Sequence, residues 1–183
     1  MEREKALALV KNKISNKNLV FHCLAVEAVM KKLAEKFEED REKWGLAGLL
    51  HDIDYEETKN EPDKHSLIGA AELSRLGLDE EIVSAVRTHN DYHNLPRETK
   101  MAKALFCTDP VTGLIVASAL VLPEKKLALL HKESVLRRFK EKAFAKGANR
   151  ETINSCEELG LKLEEFIELS LKAMQSIAPE IGL

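Results

Sequence analysis

Apolar residues recur along the chain at intervals of three and four, so that Ala6, Leu7, Val10 and Ile14 share one face and Leu24, Ala25, Ala28, Val29, Leu33 and Phe37 share another. That spacing is the period of a helix that packs one stripe against a core. Nowhere does the pattern alternate at period two, as a half-buried strand would require. It predicts helices over residues 2–14, 18–38, 41–51, 64–76, 79–92, 97–108, 111–121, 124–145, 150–157 and 163–178. The breaks carry stop and start chemistry: NEPDKH around Pro62, Gly77 and Asp79 in LGLDEE, NLPRE around Pro96, TDP before Pro110, and AKGANRE around Gly147. No repeat, low-complexity tract or linker interrupts the series. The expected fold class is therefore all-α, a helical bundle.

Composition sharpens this reading. A length of 183 residues suits one domain with a substantial core and is short for two. Six Phe, two Tyr and one Trp, set among abundant Ala, Leu, Glu and Lys, favour helix over strand. The net charge of -3, with Lys and Arg dispersed, provides no broad footprint for a nucleic-acid polymer or an anionic membrane surface. Partners are expected to be small molecules or protein, with a homodimer open. Cys23, Cys107 and Cys156 lie far apart with no C-x-x-C spacing, which suggests neither a zinc-thiolate site nor a disulfide framework. They are expected to be reduced and mostly buried. The N-terminus MEREKALALVKNKI is too charged for a signal peptide, and the apolar run from Gly113 to Leu122 is too short to span a bilayer. A cytoplasmic location is expected.

The candidate chemistry lies with the histidines. His22, His51, His65 and His89 each fall on a separate predicted helix or at its end. Any one of them, beside apolar residues, reads as an ordinary core or boundary histidine. Together they suggest a cluster, and Asp109 in ALFCTDP adds a carboxylate at the predicted end of an apolar helix, where an unpaired buried charge is costly. A helix cap after Pro110 is the ordinary alternative for Asp109. Imidazoles and carboxylates without cysteine suit manganese, iron, nickel or zinc. In AGLLHDIDYEE, the adjacent His51 and Asp52 can bring two ligands to one ion, and the second carboxylate oxygen can bridge to another, so two ions are possible.

A histidine, a later His-Asp doublet and a distal aspartate, in that order over roughly residues 20–110, resemble the HD superfamily of metal-dependent phosphohydrolases. KHSLIGAAEL and AVRTHND resemble the two extra histidine segments of its dinuclear branch. The resemblance implies an HD-type helical domain in which His22, His51, Asp52 and Asp109 hold one ion and Asp52, His65 and His89 hold a second. The implied reaction is hydrolysis of a phosphate ester or anhydride of a nucleotide or related small phosphate, with Asp52 central to catalysis. Helices after residue 110 are expected to cap or line the pocket. The chain departs from many relatives in reading Ile53-Asp54-Tyr55 after the doublet, and it lacks the Gly-Tyr-Pro signature of the cyclic-dinucleotide enzymes. Asp54 is a catalytic candidate that either contacts solvent at the site or orients a ligand histidine; the alternative is an exposed acid in an acidic run. Gly69, Ala70 and Ala71 suit a close helix contact.

Substrate phosphate needs cations, and Arg138 and Lys142, four residues apart beside Val135, Leu136, Phe139 and Ala143, are candidates, with Lys64 and Arg87 near the extra histidines. His93 is a candidate for the site mouth, with an ordinary surface-loop histidine as the alternative, and His131 is read as structural. Solvated surface charge is the alternative for each cation. Two competing functions remain: a di-iron oxygenase of the same superfamily, and a non-catalytic metal-containing binding module.

Overall fold

Helices form where the apolar stripes run. The computed structural model describes residues 1–183. Its helices are α1 (Arg3–Lys13), α2 (Lys17–Phe37), α3 (Arg41–Leu50), α4 (Tyr55–Thr58), α5 (Leu67–Arg75), α6 (Glu80–Thr88), α7 (Lys100–Leu120), α8 (Lys132–Lys140), α9 (Arg150–Asn154) and α10 (Leu163–Ser176). Short 3₁₀ turns occupy Asp91–His93, Leu127–Leu129, Ser155–Leu159 and Ala178–Ile181, and there is no strand. Asn16, Asp40, Asp79, Thr99 and Asn149 cap helix starts by accepting backbone N–H groups. Gly77, at φ +75, supplies the left-handed turn after α5, where a side chain would be strained.

The long helices α2 and α7 form the centre. α2 packs against α3, α7 and α10, while α7 also packs against α6, α8 and α9. The 46 buried apolar residues make one continuous cluster. Cys23, Cys107 and Cys156 are free and buried within it, as expected. The approach of α3 to α2 depends on Gly48, where a Cβ would lie 2.9 Å from both the Glu27 nitrogen and the Val26 oxygen. This close crossing brings the end of α3 against α2 and sets His51 beside His22.

Two expected boundaries fail. Residues 97–108 and 111–121 form one helix, α7, which runs through Pro110. Proline removes one backbone donor, but Leu105, Val111, Leu114 and Ile115 are fully buried on both sides of it, and that burial outweighs the local break. Asp109 therefore stands in mid-helix, not at a helix end. The helix expected over 124–145 shrinks to α8, preceded by a 3₁₀ turn and followed by turns. Here the Arg150 guanidinium donates to the carbonyls of Arg138, Phe139, Phe144, Ala145 and Ala148, which holds the chain in a turn with Ala145 at φ +45. Two predicted spans also shorten: His65 lies in the turn before α5, and α6 stops at Thr88.

α7, at 21 residues, is long and apolar enough to cross a membrane by length and composition, which the run after Gly113 alone is not. Over half of its most apolar stretch is buried inside the protein, as in a core helix.

Candidate metal centre

Five elements deliver six side chains to one place. His22 projects from α2, His51 caps the end of α3 with Asp52 directly after it, His65 sits in the turn before α5, His89 caps the end of α6, and Asp109 projects from the middle of α7. A helix end leaves its last carbonyls without intrahelical partners. His51 and His89 answer the same need: His51 Nδ1 donates to the Gly48 carbonyl at 2.8 Å, and His89 Nδ1 donates to the Val86 carbonyl at 2.7 Å. Each imidazole is thereby pinned with its Nε2 pointing beyond the helix.

The other two histidines are held by side chains. His65 Nδ1 donates to Asp54 Oδ1 at 2.9 Å, while Asp54 Oδ2 accepts the Gly69 N–H at 2.7 Å. Gly69 leaves room for that carboxylate, since a Cβ there would stand 3.2 Å from Asp54 Cγ. Thr112 gives its hydroxyl proton to the Asp109 carbonyl at 2.8 Å and so accepts from His22 Nδ1 at 3.1 Å. With every Nδ1 acting as a donor, all four Nε2 atoms carry lone pairs into one space.

That convergence is costly without a positive charge at its centre. His22 Nε2 and His51 Nε2 are 3.2 Å apart, and His89 Nε2 is buried with no hydrogen-bond partner. Donors held about 2.0 to 2.2 Å from a shared ion stand about 3 to 3.5 Å from each other. Asp52 occupies the middle: its Oδ2 lies 3.4 Å from His51 Nε2 and 3.8 Å from His22 Nε2, while its Oδ1 lies 3.4 Å from His65 Nε2 and 3.5 Å from His89 Nε2. Asp109 Oδ1 is 3.1 Å from His22 Nε2 and 4.0 Å from His51 Nε2. Two groups of three, His22-His51-Asp109 and His51-Asp52-His89, each have ligand atoms within 4.8 Å of one another. The donor set fits a divalent cation.

Burial and charge act in opposite directions on the titrating groups. Burial opposes the imidazolium forms of His22 and His89, yet the nearby carboxylates of Asp109 and Asp52 respectively outweigh it, so both pKa values are raised. Burial dominates at His51 and lowers it to about 4. Asp52 and Asp109 stay below the usual carboxylate range despite burial, because His51, His89 and His22 surround them.

The remaining candidates separate cleanly. Asp54 is 1% exposed and faces His65 Nδ1, so it orients that histidine; neither the exposed-acid alternative nor direct contact with the cluster centre survives. His93 Nε2 donates to the His65 carbonyl at 2.8 Å and braces the loop instead of facing the site mouth. Lys64 pairs with Glu61, Arg87 lies 3.6 Å from Glu80, and Arg138 pairs with Glu141 at 3.0 Å. Lys142 is exposed in the turn after α8, because the helix that would have aimed it at a cleft ends at Lys140. His131 is exposed and precedes α8. Several supporting residues escaped sequence reasoning. Asn90 Nδ2 donates to the Pro62 and His65 carbonyls, and buried Ser66, at φ +73, donates to the Arg87 carbonyl. Thr112 had a signal, its place one turn after Asp109, but only once the helix is known to continue through Pro110.

Comparison with known proteins agrees with this geometry. The HD domain family model matches residues 19–139. The chain is 31% identical over 137 residues, 73% of its length, to Ribonuclease Y of Lawsonia intracellularis. It is 39% identical over 94 residues, 49% of its length, to an uncharacterized protein of Methanocaldococcus jannaschii, and 30% identical over 98 residues to Ribonuclease Y of Nitratidesulfovibrio vulgaris. It spans 54% of the Methanocaldococcus jannaschii relative and 26% and 18% of the two Ribonuclease Y chains. All six converging side chains fall inside the matched region, and the chain belongs to the HD domain family, within the superfamily of metal-dependent phosphohydrolases.

Proposed function

We propose that this chain hydrolyses a small phosphate ester with two divalent ions that share Asp52. The observation that carries this reading is the position of Asp52, whose two oxygens face different histidine pairs at 3.4 to 3.8 Å. In the proposed arrangement, His22, His51, Asp52 and Asp109 hold one ion, and Asp52, His65 and His89 hold the other. Iron, manganese, nickel and zinc all suit these nitrogen and oxygen donors. When bound, such ions supply Lewis acidity toward phosphoryl oxygen and a water acidic enough to act as a nucleophile near neutral pH. The protein's own contribution is to hold four imidazoles in one orientation, through Gly48, Val86, Asp54 and Thr112, so that no ring must turn before use. Asp109, with its side chain 36% exposed, borders two cavities, which supports a substrate approaching from that side. Water adds its oxygen to phosphorus, the ester P–O bond breaks, and the alcohol departs with a proton.

The names of two relatives give a second reading, cleavage of a phosphodiester in RNA. The test is a phosphate-release panel on protein purified anaerobically and reconstituted with each metal, with a single-stranded RNA alongside and oxygen uptake recorded. Phosphate release from small esters supports the proposal, and RNA cleavage alone supports the second reading. Oxygen consumption by the iron form without phosphate release would favour an oxygenase, and metal binding without any turnover would favour a non-catalytic binding module.

A further inference from the structure

Three cavities border side chains of the cluster and describe what can lie beside it. The first is bordered by His65, His89 and Asp109, with Asn90, Asn149 and Thr152 giving it a polar end. The second shares Asp109 and Pro110 with the first and adds His22 and Gly113. The third, of 410 Å³, shares His22 and Gly113 with the second, and its wall is apolar: Phe21, Val116, Ala117, Leu120 and Ile181. A substrate whose phosphorus sits at the cluster therefore has one polar and one apolar direction in which to extend.

No lysine or arginine lines any of the three. Arg97 contacts Asp91 and Phe106, which border the first, but it donates to Asp91 and to the Thr88 carbonyl and lies 3.3 Å over the Phe106 ring, so it is already committed. The charge at the cluster then decides what can bind. Two carboxylates set against two divalent ions would leave at most two positive charges, and one once the nucleophilic water has lost its proton, so no more than one phosphomonoester dianion is matched. Each further phosphoryl group adds negative charge that no side chain in the cavities neutralises, and in a partly desolvated cleft such charge is costly.

We infer that the substrate carries a single phosphoryl group and that its alcohol portion is apolar, lying in the third cavity between the start of α2 and the second half of α7. This rests on the phosphohydrolase reading above. The nature of the alcohol follows from the wall: Phe21, Val116, Ala117, Leu120 and Ile181 offer only carbon side chains to the occupant, and Asn18 and His22 are the polar side chains that join them.

The test uses the full chain loaded with whichever metal supports phosphate release. Catalytic efficiency is measured for methyl, butyl, phenyl and naphthyl phosphate, and for the mono-, di- and triphosphate of one nucleoside. Efficiency should rise about fourfold for each methylene buried and at least tenfold from methyl to butyl, two alcohols of similar leaving ability. It should fall at least tenfold from monophosphate to triphosphate. Ala117→Glu, a change on a half-buried position of α7, should flatten the dependence on the alcohol. Calorimetry on the same metal-loaded protein with methylphosphonate, phenylphosphonate and pyrophosphate reads the preference without turnover. Phenylphosphonate binding tightest, in the absence of any hydrolysis, would uphold this inference and count against the reaction alone. A flat alcohol series, tighter binding of pyrophosphate, or preference for an RNA oligonucleotide would overturn it.

Discussion

Asp54 touches nothing at the centre of the cluster, yet its replacement by asparagine should disable one side of it. In Asp54→Asn the side chain keeps its size and stays 1% exposed, but one of its two acceptors becomes an NH₂ group. The carboxylate now accepts from His65 Nδ1 at 2.9 Å and from the Gly69 N–H at 2.7 Å. If the NH₂ faces Gly69, two donors oppose each other in a buried space. If it faces His65, the ring must move its proton to Nε2 and give up the lone pair that enters the site. Either outcome leaves a buried polar group unsatisfied or mis-set, which costs about 1 to 3 kcal/mol of stability. Loss of a histidine's orienting partner weakens metal affinity by about 10- to 100-fold. Titration calorimetry with zinc or manganese should therefore show one binding event weakened by that factor and the other retained. Denaturation in chelator should report the stability cost separately. Asp54→Asn protein that binds metal with unchanged affinity and stoichiometry would refute the orienting role.

Asp52→Ala should empty the cluster, whereas His65→Ala should keep roughly one ion, bound through His22, His51, Asp52 and Asp109; metal analysis after dialysis distinguishes the two. Gly48→Ala would place a Cβ 2.9 Å from the backbone of α2 and should destabilise the fold by about 1 to 3 kcal/mol in urea, with metal affinity reduced as His51 shifts. Metal affinity should also fall as pH falls. His22 and His89 have pKa values that Asp109 and Asp52 raise despite burial, so below those values each ring holds a proton that an ion must displace. The logarithm of affinity should thus rise with pH at a slope of about 2 on the acid side, while His51, lowered to about 4, contributes only in strong acid. A pH-independent affinity, measured by chelator competition, would contradict this.

Much of the site was legible because its candidate ligands are few, of distinctive type and spaced by whole helices. His22, His51, Asp52, His65, His89 and Asp109 could be chosen from residue type and order, and the structure brings all six together. The stripe at 2–14 and 18–38 likewise foretold α1 and α2 closely, since each pairs a long apolar face with an unambiguous break. Other features depend on contacts distant in sequence. Pro110 reads locally as a stop, and only the burial of α7 on both sides of it shows why the helix continues. The segment after Lys140 carries helical spacing, but one guanidinium, Arg150, takes its carbonyls and bends it away. For the same reason Lys142 was misplaced. Asp54 shows the limit most clearly. In DIDYEE it resembles its exposed acidic neighbours, and only the space left by Gly69, fifteen residues later, makes it a buried partner of His65.

The most direct test of the account is anomalous diffraction from crystals of the metal-loaded protein, recorded on either side of the metal absorption edge. The account predicts two peaks, one coordinated by His22, His51, Asp52 and Asp109 and the other by Asp52, His65 and His89, with one Asp52 oxygen on each. A single peak would make Asp52 a terminal ligand and end the dinuclear proposal. No peak among these six side chains, in protein shown to contain metal, would contradict the account at its centre.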